Sequence, residues 1–197
     1  MKIITLLTFA AATALYAGPP LVCERISIGD AKSLPWKDVN GWNGADASYP
    51  VVASLVSDTL GLLTPNAPLP VRMETLRRAA IYAAKSPATG TQLTTQLLAR
   101  VADWEAAGKP AANAWFDAGY FVETLRQTAF IYRYDMLSPA EKANWHARGE
   151  GASLDGKPWL EKAIRLGGGK GMEVAMVKVE EYRLTDLKRS NKLVSSR

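Results

Sequence analysis

The stretch from Trp115 to Ala129 constrains the fold more than any other part of this chain. On a helical wheel Trp115, Phe116, Ala118, Tyr120, Phe121, Val122, Leu125 and Ala129 leave almost no polar side. A helix apolar nearly all round is packed on several sides, so other elements must surround it. The flanking sequence supplies them as segments with apolar residues at three- and four-residue spacing, separated by proline and glycine.

Pro50 suits a first helical turn, and Val51, Leu55 and Leu62, with Val52 and Val56, carry a helix to residue 63. A proline-rich linker over residues 64–70 separates it from a second helix over 71–85. There Met73, Leu76, Ala80, Ile81 and Ala84 form the inward stripe, with Arg72, Arg77 and Arg78 outside it. Residues 86–90 read as a turn. A third helix follows over 91–107, its inward positions Leu93, Leu97, Leu98, Val101 and Trp104, and Gly108 is placed as its left-handed stop. Pro110 opens the central helix. Ser138-Pro139-Ala140-Glu141 is a capping box that starts a short helix bearing Trp145 and His146. Pro158 opens another, ended by Gly167-Gly168-Gly169, and the last runs over 172–189 through Met172, Met176, Val179, Tyr182 and Leu187. A short strand over residues 174–179 is the alternative to that part of the helix. Short connections imply antiparallel neighbours. The expected class is all-α: helical hairpins in a bundle, or a degenerate α-solenoid, with an irregular N-terminal arm.

The first residues have a different character. Lys2 precedes an apolar run over residues 3–15, shorter than the roughly 20 residues a membrane span requires. It has the length of a secretory leader, with cleavage after Ala17 or after the Ala12-Thr13-Ala14 triplet. An uncleaved anchor is the alternative. The expected organisation is a leader over 1–17, an arm over 18–49, one helical domain over 50–189 and a basic tail over 190–197. The arm is rich in proline, glycine and asparagine, extended only around residues 21–28, and anchored by Leu34, Trp36 and Trp42. The chain is expected to be exported, with no transmembrane anchor after cleavage.

Composition narrows the chemistry. Much of the net charge of +5 lies toward the C-terminus, where Lys178, Arg183, Lys188, Arg189, Lys192 and Arg197 outnumber their acidic neighbours and complement a helix dipole or meet an acidic partner. An exported protein rarely meets nucleic acid, so none is expected. Cys23 and His146 are the sole residues of their kinds, which excludes an internal disulfide and most zinc sites. No metal and no cofactor is expected. Gly167-Gly168-Gly169-Lys170-Gly171 lacks the preceding strand and the following Ser/Thr of a phosphate loop, and reads as a helix stop.

Three groups remain as candidate sites. Trp36, Asp38, Asn40, Trp42, Asn43 and Asp46 interleave oxygen donors with flat aromatics, as sugar or calcium binding would need, or as turn residues around two buried tryptophans. His146 is a lone candidate base, without a Gly-x-Ser-x-Gly elbow. Asp117 and Glu123 share a polar strip with Thr124 and Gln127, near Tyr120. Such carboxylates suit acid–base catalysis if a cleft faces them, and otherwise form a solvated side in which Glu123 pairs with Arg126.

In residues 137–170, Gly156, Leu160 and Ala163 stand at the small, large and small packing positions of a tetratricopeptide unit's second helix. Trp115-Phe116-Asp117-Ala118-Gly119 is similar to that family's Trp-x-x-Leu-Gly opening. Ala118 replaces the leucine, Val122 stands where tyrosine is usual, and the two matches are not one repeat apart. The resemblance implies a protein-binding scaffold. By architecture and elimination the expected function is binding of a protein partner. A carboxylate enzyme built on Asp117 and Glu123, and a surface protein using its basic tail, are the alternatives.

Overall fold

Proline and glycine set the helix boundaries in the computed structural model, which describes residues 20–37, 42–136 and 154–195. Seven helices lie among these residues: α1 (Pro20–Cys23), α2 (Val51–Leu62), α3 (Leu69–Ala83), α4 (Pro87–Ala106), α5 (Ala111–Met136), α6 (Lys157–Arg165) and α7 (Gly169–Ser195). Among the described residues there is no strand, only one isolated bridge between Trp36 and Ala45. The protein is all-α.

The expected central helix is central. α5 packs against α1, α3, α4, α6 and α7, and Phe116, Ala118, Tyr120, Phe121 and Val122 are all buried. Its neighbours α4 and α6 both run opposite to it. Gly90 lies near Leu125, while the Glu105 carboxylate accepts a 2.9 Å bond from the Trp115 indole, so α4 runs antiparallel to α5. Leu160 meets Gly119, and Lys162 sits 4.0 Å over the Trp115 ring, so α6 is antiparallel as well. The α5–α6 crossing is tight: a Cβ on Gly119 would stand 2.8 Å from the Gly156 carbonyl oxygen. Two glycines let the helices meet backbone to backbone.

Gly108 (φ 62°) and Gly167 (φ 93°) end α4 and α6 in the left-handed region, as C-terminal stops do. Other expectations need correction. Residues 86–90 are not a free turn: α4 begins at Pro87, and Gly90 instead allows close approach to Leu125 and Ala83. Residues 21–23 are helical rather than extended. Residues 174–179 belong to the last helix as expected, and the strand alternative falls. Val52 is 78% exposed and takes no part in the α2 stripe. Arg72 and Arg77, placed outside the α3 stripe by periodicity, are fully buried. The leader, the 138–141 capping box and His146 lie outside the described residues.

Candidate functional site

Amphipathic spacing puts charges on water-facing sides, yet here the candidate carboxylates lie in the interior. Asp117, Glu123, Thr124 and Gln127 are each fully buried. The solvated-strip reading fails, because five helices pack on α5 and none of its residues over 111–128 is exposed. The two carboxylates also do not act together, for each faces a different neighbour.

Asp117 turns toward α3. Its Oδ2 accepts a 2.5 Å bond from Arg72 Nη1, while Oδ1 is buried without a donor. Arg72 spends its other donors on the proline-rich linker, reaching the Ala67 carbonyl at 3.1 Å and the carbonyls of Thr64 and Pro65. Arg100 bonds the Leu60 and Leu63 carbonyls at 2.7 and 2.8 Å, closing the end of α2. Both guanidiniums flank Trp104. Burial pushes the Asp117 carboxyl up to about 7, against the opposing pull of Arg72. A single donor cannot replace the hydration of a whole carboxylate.

Glu123 turns toward α6 and α7. Oε1 accepts the Gly156 N–H at 2.8 Å and Arg183 Nη2 at 2.7 Å, and Oε2 accepts Arg183 Nε at 3.2 Å. It pairs with Arg183 rather than Arg126, which instead bonds the Leu154 carbonyl. Glu123 therefore holds the start of α6, helped by Asp155, which accepts the Lys157 N–H and also pairs with Arg183.

Periodicity gave no sign of a third buried carboxylate, Glu74. It accepts Arg77 through both oxygens at 2.8 Å, Arg78 Nε at 2.8 Å and the Ile26 N–H at 3.2 Å. Burial alone would raise its carboxyl, but these donors outweigh burial and hold it below the usual range. Four donors against one explain the opposite shifts of Glu74 and Asp117. Arg77 continues to the Val22 and Trp42 carbonyls at 2.9 and 2.8 Å, and Arg78 to Leu34 at 2.6 Å. The cluster fastens the arm to α3. The Glu-x-x-Arg-Arg run at 74–78 was the available signal.

Trp36 lies half-buried within this clasp, 5.0 and 5.3 Å from the Arg77 and Arg78 guanidiniums and edge-on to Tyr82. Asp46 bonds Lys37 and Ser48, which bring its carboxyl down to about 2. Trp42 is half-buried and Asn43 exposed; Asp38 and Asn40 lie outside the described residues. Among the described residues no group of three or more His, Cys, Asp or Glu is placed to hold a metal ion.

The two helical turns at the foot of α5 enclose a surface groove of about 430 Å³. Residues 109–113 form one wall, and Leu166, Gly167, Gly168 and Met172 form the other. Leu166 is 49% exposed, and Lys109 and the α5 N-terminus bring positive potential to the rim. No sequence motif marks the groove, because its walls are two glycine stops distant in the chain. Compared with known proteins, the chain matches no family model, no curated protein and no solved structure.

Proposed function

We propose that this chain is an exported binding protein whose groove between the α4–α5 and α6–α7 turns receives a segment of a protein partner. One observation carries the reading: the groove joins an exposed apolar wall at Leu166 to a basic rim at Lys109. That chemistry suits an extended segment with an apolar side chain beside an acidic one, or a chain end. The partner's charge would steer the encounter, so binding weakens as salt rises. Export rests on the leader-like run over residues 3–15. Among the described residues, no helix is long and apolar enough to cross a membrane.

The carboxylate-enzyme alternative has less support. Asp117 has the proton affinity of a general base, but it is sealed in the core and engaged with Arg72. Glu123 is committed to Gly156 and Arg183. Leu166→Asp and Lys109→Glu test the binding reading through partner capture from the exporting cell. Loss of capture by both variants, with unfolding transitions unchanged, is the expected result. Undiminished capture would exclude the groove. A hydrolytic activity abolished by Asp117→Asn or Glu123→Gln without loss of stability would restore the enzyme.

A further inference from the structure

The proline-rich linker joins α2 to α3 over residues 63–68 and runs along the surface, with Thr64, Asn66 and Pro68 exposed. It has little structure of its own beyond a 3.1 Å bond from the Ala67 N–H to the Thr64 carbonyl. Side chains from three helices hold it down. Arg72 of α3 donates to the carbonyls of Thr64, Pro65 and Ala67, and Arg100 of α4 donates to that of Leu63. Asn113 of α5 donates from Nδ2 to the same Pro65 carbonyl at 3.2 Å, and Asn113 belongs to a wall of the groove. The linker therefore connects the Arg72–Asp117 pair to the groove.

Asp117 is fully buried, and its Oδ1 meets no donor. The charged groups that act on it are Arg72 from α3 and Arg100 from α4. An ionised carboxylate with one bare oxygen is stabilised by admitting water. The covering easiest to lift is an exposed segment outside any helix. We propose that the linker is a strap that stays closed while Asp117 is protonated and is released when Asp117 ionises, so that the groove wall at Asn113 is framed at mildly acidic pH and loosened at neutral pH and above. Under the closed strap the Asp117 carboxyl titrates at about 7, whereas in water an aspartate titrates near 3.8. The closed state thus holds the proton more tightly and gives way as pH rises between those two values. This regulation rests on the groove reading above.

Hydrogen exchange on the full chain, with no partner present, tests the strap between about pH 5 and 8. Rates are taken relative to an unstructured peptide at each pH, which removes intrinsic base catalysis. The Ala67 amide reports the strap, and the Asn113 amide, bonded to the Pro110 carbonyl, reports the wall. Phe121 in the core reports global opening. Protection at Ala67 and Asn113 is expected to fall at least about tenfold from pH 5 to 7, with Phe121 better protected throughout. Asp117→Asn, uncharged at every pH, should hold both amides at their pH 5 protection. Unchanged protection at Ala67 would overturn the proposal, as would a slope that survives Asp117→Asn, or exchange at Ala67 no faster than at Phe121. If the variant does not fold, the comparison of Ala67 with Phe121 across pH in the natural chain decides. A response at Ala67 that is absent at Asn113 would overturn the link to the groove. None of these results depends on a partner, so a failed strap leaves the groove reading to its own capture test.

Discussion

The number of donors around each buried carboxylate decides how this protein responds to pH and mutation. Asp117 has one donor and titrates near 7, whereas an exposed aspartate titrates near 3.8. Between about pH 4 and 7 the folded chain therefore holds a proton that the unfolded chain has released, so stability falls as pH rises through that window and levels off above it. Asp117→Asn should flatten the slope, which is on the order of a few kcal/mol; urea unfolding at several pH values, for both proteins, measures it. A natural chain that instead gained stability from pH 5 to 8 relative to the variant would contradict the assignment. Glu74 behaves oppositely. Glu74→Gln removes the charge opposite Arg77 and Arg78 in a buried setting and should cost about 3–5 kcal/mol, read from the same unfolding curves. The sequence marked Asp117 and Glu123 as chemically unusual but not why. Periodicity places a residue on a face, while burial of that face depends on how many helices cover it. Arg72 and Arg77 were misplaced for the same reason: an arm and a linker without regular structure wrap the side that the wheel assigns to water.

At the scale of elements, caps and crossings explain which helices were legible. Gly108 and Gly167 announce the ends of α4 and α6 in the sequence because left-handed stops favour glycine. Residues 86–90 mislead because Pro87 suits both a turn and a first helical turn. The glycine pair at the α5–α6 crossing carries no local sign, since its partners stand far apart in sequence. It does carry a testable cost. A methyl at Gly119 would meet the Gly156 carbonyl and Leu160 Cγ at 2.8 Å, and one at Gly156 would meet the Gly119 carbonyl at 2.5 Å. Gly119→Ala should lower stability by about 1–3 kcal/mol through overpacking. Gly61→Ala in α2, with nothing within 4 Å of the new carbon, should leave stability unchanged or raise it by up to about 1 kcal/mol. Thermal denaturation of the pair separates crowding from helix propensity. The small–large–small pattern of Gly156, Leu160 and Ala163 is seen packed on α5, whereas the first half of the repeat-like segment lies outside the described residues.

For the whole molecule, the fold class followed from one all-round apolar helix and its amphipathic neighbours, but the groove was not legible. It exists only because the α4–α5 and α6–α7 turns come to rest at the same end of α5. The three buried ion-pair groups then take on a common role: Arg72, paired with Asp117, holds the linker, Glu74 holds the arm, and Glu123 holds the start of α6. Each ties a segment of the chain to the helices around α5. Photo-crosslinking tests the groove reading directly, with a light-activated residue placed at position 166 in the groove or at position 52, which is 78% exposed on α2. A binding protein that works through this groove will yield one defined protein adduct from position 166 and none from position 52, and the adduct will fade as salt rises. Equal labelling from both positions, or no adduct from either, would contradict it.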